Sequence, residues 1–495
     1  METAPGPVAS LQSSLQPLPY PCLSLANVFD FGVLFSPDSS VEKIRRDVAD
    51  LIARMIKAAG LAKYETAGGS SERWYWAAPA LLDGADPSKK RSILDWLNGR
   101  EFLEESAFFK TRDRDQSGKR RHVEAFRNAL IKPHGLKLGP MPSDLPEVLA
   151  DMAIGSPSII ALRSFMRLFP EADGKVANRH LRAAFEVADE FLNLFNKPES
   201  ICALRLTTPP ADYWRRVLRY CGDGCLQSVM DEYCHLTKGQ KRTMDATVAH
   251  VQNTVNITAA SINVDSLQSF KAGRPHKMRC HYAVDFGNQK LETDEGQNRA
   301  TSIRENFNSP FRPFVLATTS IGQEGLDFHQ YCRKIVHWNL PGNPIDLEQR
   351  EGRINRYKGL VIRQEIARKY SSMLTTGGAR RDIWDALFEI ADREERKDGK
   401  CELVPYWHVD TDSPESVKLE RIIPMYPFSR DQGKLSSILK TLAIYRLAFG
   451  QPRQVELIEH LLEKEFNSKE IGAIRKNLMI DLSPMNYSRS ELSGQ

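Results

Sequence analysis

The hydrophobic period of this chain changes near residue 275, and that change constrains its fold more than any other feature. Upstream the spacing is helical. Val41, Ile44, Val48, Leu51, Ile52 and Met55 recur behind a Ser39–Ser40 start and stop at Gly60. Leu181, Phe185, Ala188, Leu192 and Phe195 make a second stripe, of the kind that packs into a core. Ser156–Pro157 supplies an N-cap and first-turn pair before IIALRSFMRLF. Downstream, three short apolar runs read as buried strands: Arg279–Phe286, Phe314–Thr319 and Lys334–Leu340. GQNRATSIRENFN, between the first two, reads as a helix. Strand and helix in alternation predict an α/β unit with a parallel sheet, which binds ligands beyond the carboxyl ends of its strands. After about residue 380 RRDIWDALFEIA and KLSSILKTLAIYRLAFG are helical again.

These patterns predict an irregular leader over 1–30, a mostly helical region over 31–258, an α/β lobe over 259–372, a helical extension over 373–480 and a polar tail over 481–495. The 495 residues suffice for several separate cores. ERWYWAAPALLDG is aromatic and suited to burial. Lys110–His122, KTRDRDQSGKRRH, reads as a charged loop, either simply solvated or in contact with phosphate.

The chemistry concentrates in Arg312–Gly359. Asp346–Tyr357 reads as a short helix on which Gln349, Gly352, Arg353 and Arg356 fall at i, i+3, i+4 and i+7, on one face. Paired guanidiniums suit the oxygens of a phosphoryl group, and an arginine beside a γ-phosphate stabilises transition-state charge. Gly352, a poor helix former, would let another surface approach. Ahead of it, Thr318, Thr319 and Ser320 offer hydroxyls. Gly322 and Gly325 let the backbone turn and expose amides, as phosphate ligation at a strand end requires.

ATTSIGQEGLDF resembles motif V, and QREGRINR resembles the Q-x-x-G-R-x-x-R form of motif VI, of superfamily 2 helicases. HWNLPGNPIDLEQ resembles the stretch between them in Swi2/Snf2-type ATPases. The closest resemblance is to the bacterial branch that includes the RNA-polymerase-associated recycling ATPase and the DEAD/DEAH-like helicases of phage defence. Arg299, Ile303, Arg304 and Phe307 resemble the helix before motif V in that branch. The resemblance implies a RecA-like second lobe, a P-loop NTPase-type fold, with large helical regions on either side. It implies that Arg353 and Arg356 are arginine fingers reaching ATP. It places Gln349 and Gly352 at the nucleotide or in orienting that helix, and Gly325 and Asp327 near the nucleotide site, Asp327 toward the ribose. Thr318, Thr319, Ser320, Gly322 and Glu324 would contact nucleic-acid phosphate, with DNA favoured over RNA.

In such motors a first lobe holds ATP and Mg2+ through G-x-x-x-x-G-K-[ST] and a DE-x-x sequence. Gly118–Lys119 is followed by Arg120, and Gly433–Lys434 by Leu435. Asp231–Glu232–Tyr233–Cys234 has the right letters, but CLQSVMDEYCHL reads as a helix. The expectation is therefore a partner polypeptide that supplies the first lobe, with this chain inactive in hydrolysis by itself. The alternative is a non-catalytic nucleic-acid or protein docking module derived from a helicase. A third reading takes Cys221, Cys225, Cys234 and His235 as zinc ligands, although adjacent Cys234 and His235 cannot easily chelate one ion. Reduced thiols without metal are the plainer expectation. A net charge of +5 permits nucleic-acid binding without arguing for it. No run on the order of 18 apolar residues predicts a membrane span, and the N-terminus lacks signal-peptide order, so the expected location is cytoplasmic.

Overall fold

The computed structural model describes residues 18–28, 40–99, 116–171, 176–209, 211–239, 243–255, 260–264, 267–271, 273, 276–280, 304–311, 313–317, 327–374, 382–396, 401–410, 413–427, 429, 431–448, 454–463 and 468–480. The chain divides into two units, Met1–Ala259 with Leu374–Ala386, and Ala260–Met373 with Leu387–Gln495.

The first unit is helical. Helix Val41–Ala58 starts where its cap requires, with the Ser40 hydroxyl accepting the Lys43 N–H at 3.2 Å. It ends before Gly60, whose φ of 62° is left-handed. Its buried side, Val48, Ile52 and Ile56, packs on Leu145–Gly155. Leu145–Gly155 also crosses Tyr213–Asp223, and so closely at Gly155 that a Cβ there would run into the Leu218 carbonyl. Pro157–Leu168 lies between Asn178–Phe195 and Leu226–Lys238. The predicted stripe is in place, with Leu181, Phe185, Ala188 and Phe195 buried and Leu192 half-buried. No single described helix is long and apolar enough to cross a membrane.

Three expectations change here. Residues 18–26 are not an irregular leader: they are buried in the unit, with Leu23–Ala26 helical. The buried Asp83 carboxylate accepts the Tyr20 hydroxyl at 3.0 Å and the Leu23 and Ser24 amides at 3.1 and 2.7 Å. Ser156 sits at the N-cap position of Pro157–Leu168 but does not cap it; its hydroxyl donates to the Leu18 carbonyl at 3.0 Å instead. Of the predicted loop Lys110–His122, residues from Gln116 onward belong to helix Gln116–Ile131, and 110–115 lie outside the described residues.

The second unit carries the described strands. β1 (Ala260–Val264) pairs antiparallel with β2 (His276–Cys280), so the described part of the strand expected at Arg279–Phe286, Arg279–Cys280, ends an antiparallel strand that begins at His276; 281–303 lie outside the described residues. β3 (Lys334–Val336) pairs parallel with β4 (Glu420–Ile422). The strand predicted over Lys334–Leu340 is thus three residues long. Phe314–Ala317 forms no strand, and Phe314 and Val315 are exposed rather than buried. The described residues therefore show a two-stranded parallel pair where a wider parallel sheet was predicted. Among the described residues, Phe307, Phe328 and Ile354 form one hydrophobic cluster of this unit and Leu340, Leu347 and Ile438 another.

Candidate functional site

The site residues hang on helix Pro344–Gly352. Pro344 is preorganised for its first turn, and the Asn343 side chain accepts the Ile345 N–H at 2.9 Å. Leu347 buries one side of the helix. Glu351 fixes its end: the carboxylate takes both Arg421 Nε and Nη2, at 2.5 and 2.7 Å, and lies 3.2 Å from His337 Nε2. Burial alone would raise this carboxyl, but the hydrogen bonds from His337 and Arg421 overcome it and hold the group down at about 2.

The helix stops at Gly352, not Tyr357. The Arg353 and Ile354 amides turn back to Arg350 and Glu351 at 3.2 and 3.1 Å, tighter than α-helical bonds. Ile354 is then buried against Phe307 and Phe328. Burying that side chain draws the chain off the helix axis, a pull that Gly352 does little to resist. The expected single face is therefore divided. Gln349 and Gly352 are on the helix, Arg353 is its C-terminal cap residue, and Arg356 lies in the turns beyond. Gln349 is exposed, and a Cβ at Gly352 would meet nothing within 4 Å. The close approach inferred for Gly352 is not made by any described part of this chain.

A second turn, 327–331, is stitched to 353–360. The Phe328 amide donates to the Arg353 carbonyl at 3.0 Å, and the Leu360 amide to the His329 carbonyl at 2.9 Å. The buried Arg363 guanidinium bridges the Lys358 carbonyl at 2.7 Å and the Gln330 carbonyl. Asn308 Nδ2 donates to the Asp327 carbonyl at 2.7 Å. These bonds bring Asp327 to Arg356, Oδ1 to Nε at 3.3 Å, with both side chains about half exposed. Burial lowers the pKa of neighbouring His329, and Asp327 opposes that only in part, which favours a neutral ring.

The predicted Thr318, Thr319, Ser320, Gly322, Glu324 and Gly325 lie outside the described residues, as do Arg299 and Ile303; Arg304 opens a helical turn and Phe307 is buried. Trp338 stands 67% exposed, edge-on to Tyr426 at 5.5 Å, so it is not a core residue. Sequence reasoning missed Glu351, His337, Arg421 and Arg363. For Arg363 a signal existed, a lone arginine inside the apolar LVIRQEIA. For Arg421, 70 residues from its partner, none did.

The remaining motifs resolve structurally. Asp231 lies within helix Leu226–Lys238, buried, 2.5 Å from Arg167 Nη1 and 2.7 Å from the Ser164 hydroxyl, as a core ion pair would be. Cys221 and Cys234 are buried and Cys225 is exposed, and among the described residues the groups that gather around His235 are the carboxylates of Asp382 and Asp385 rather than these thiols. His235, Asp382 and Asp385 cluster, but the Lys238 ammonium lies 3.8 Å from Asp382 and 3.4 Å from Asp385, a cation that already meets their charge.

Residues 249–358 match the family model described as the helicase conserved C-terminal domain. No curated protein and no solved structure matches the chain. The matched segment ends two residues beyond Arg356 and contains both stitched turns up to that point. It supports a helicase C-terminal lobe and implies a RecA-like fold there. Domains of this kind generally engage nucleic acid and a partner lobe.

Proposed function

We propose that this chain is the second motor lobe of an ATP-dependent, nucleic-acid-stimulated translocase of the Swi2/Snf2-like kind, acting on DNA. The P-loop lobe comes from outside these 495 residues. The observation that carries the reading is the coincidence of the helicase match with a braced arginine turn: Arg353 and Arg356 follow directly on a helix end anchored by Glu351. Arg356 is 41% exposed, and its one described ion pair is to a half-exposed carboxylate, so it can reach a phosphate beyond this unit. ATP and Mg2+ fit such a donor set only in part. The arginines suit the γ-phosphate oxygens, whereas Mg2+ would be held by the other lobe. Bound there, ATP supplies the phosphoryl transfer that drives movement. Within this chain, Arg353 and Arg356 neutralise phosphate charge, Asp327 and the 327–331 turn orient Arg356, Gln349 and Gly352 present the open helix face to the nucleotide-bearing lobe, and Gly325 serves the same nucleotide site. Thr318, Thr319, Ser320, Gly322 and Glu324 are the residues of this chain whose chemistry suits nucleic-acid phosphate.

The test is ATP hydrolysis by the purified chain, with and without duplex and single-stranded DNA. It is then repeated with a co-purifying polypeptide that carries G-x-x-x-x-G-K-[ST]. The expected result is no turnover alone and DNA-stimulated turnover with the partner, lowered about 10³-fold or more by Arg356→Ala. Turnover by the chain alone, abolished by Arg356→Ala, would refute the division of labour. DNA binding with a steep salt slope and no effect of any partner on ATP would favour a docking module.

A further inference from the structure

We infer that a cleft in the second unit, about 270 Å³ in volume, is a binding site for a single nucleotide unit, a phosphate ester carrying an unpaired base. Its walls come from two stretches, 354–362 and 407–419. The second of these lies outside the helicase match, so family resemblance says nothing of it.

Three basic side chains line the cleft, Arg356, His408 and Lys418, and no carboxylate does among the described lining residues. Lys418 and His408 have no side-chain hydrogen bond or ion pair to any described residue. The Arg356 and Lys418 cations converging between apolar walls focus a positive potential that an anion relieves, and the His408 ring adds a hydrogen-bonding group beside them. The walls are Val361, Ile362 and Val409, so a fully hydrated inorganic ion would leave them unused. Trp407 is 44% exposed at the rim and packs near Tyr357 at 6.0 Å, which leaves ring surface on which a base can stack. The volume sits just below the range of about 300–1,000 Å³ usual for small-molecule sites, enough for one nucleotide and too small for a base pair. The occupant and Asp327 draw on the same Arg356 guanidinium. Arg356 is shared with the motor reading, whereas Trp407 and Lys418 belong to this cleft alone, so their variants test the cleft separately.

The shared chemistry has two sources, a free mononucleotide or an unpaired nucleotide within a strand. Calorimetric titration of the full chain with AMP, and separately with a 5′-phosphorylated thymidine pentamer, tells them apart. One-to-one binding of AMP identifies a free nucleotide; binding of the pentamer alone identifies a strand. In either case the affinity falls about tenfold or more in Lys418→Gln and in Trp407→Ala, the loss expected for one charge-assisted contact or one stacked base. Trp407→Phe retains most of it. Lys440→Gln, an exposed lysine on helix Asp431–Leu447, leaves it unchanged. Circular dichroism confirms that each variant is folded. Absence of binding by both probes at millimolar concentration overturns the inference. So does binding that Lys418→Gln leaves intact or that Lys440→Gln weakens equally.

Discussion

Replacing Glu351 by glutamine should loosen the end of helix Pro344–Gly352, and the loss should depend on pH. The carboxylate holds both Arg421 nitrogens and faces His337, and its pKa is about 2 against an ordinary 4.5. A group lowered on folding contributes stability that is fully present above its unfolded value and lost as pH falls through its folded value. The window therefore runs from about pH 5, where the contribution is whole, down to about pH 2, where most of it has gone. At about 1.4 kcal/mol per pH unit the nominal contribution is about 3 kcal/mol. Glu351 is 26% exposed and Arg421 35%, so solvent takes a share. The net figure expected is about 1–2 kcal/mol at pH 7. Two units make a single global unfolding curve hard to interpret, so the readout is hydrogen exchange of the amides of residues 347–355 in the wild type and in Glu351→Gln. Protection should fall about five- to thirty-fold at pH 7, and the two proteins should converge toward pH 2–3 after correction for intrinsic exchange. An equal difference at pH 3 and pH 7, or none at pH 7, would refute the claim that this ion pair braces the arginine turn.

Three further outcomes follow from the same geometry. Asp327→Asn removes an ion pair between half-exposed groups. It should cost less than about 1 kcal/mol and lower hydrogen-exchange protection of the 327–331 amides by less than about fivefold; a larger loss would show that the pair is structural. Gly155→Ala forces a Cβ into the Leu218 carbonyl where Leu145–Gly155 crosses Tyr213–Asp223. It should destabilise the helical unit by about 1–3 kcal/mol, and unchanged hydrogen exchange in Leu145–Gly155 and Tyr213–Asp223 would mean that the crossing is looser than described. Asp231→Ala breaks the buried ion pair to Arg167 and should cost about 3–5 kcal/mol. A fully stable Asp231→Ala chain that had lost ATP binding would revive the magnesium-ligand reading of Asp231–Glu232.

Helical spacing from residue 41 onward, the Ser40 start and the Gly60 stop were legible because each depends on neighbours in sequence. So was the identity of the chemically informative stretch. QREGRINR lies inside the helicase match, and its residue types suit phosphate wherever the backbone places them. The geometry of that stretch was not legible. A count of 3.6 residues per turn put Arg356 on the helix with Gln349, but the burial of Ile354 against Phe307 and Phe328 ended the helix first. Leu18–Ala26 looked irregular because its partners, Asp83 and Ser158, lie some 60 and 140 residues away. Lys334–Leu340 and Phe314–Ala317 were over-read for the same reason: an apolar run records what can be buried, while strand length depends on whether a neighbour is there to pair. Local propensity and residue chemistry were thus set by the sequence alone. Which groups meet was decided by contacts between distant segments, among them Arg421 on Glu351, Arg363 across two turns and Asp327 beside Arg356.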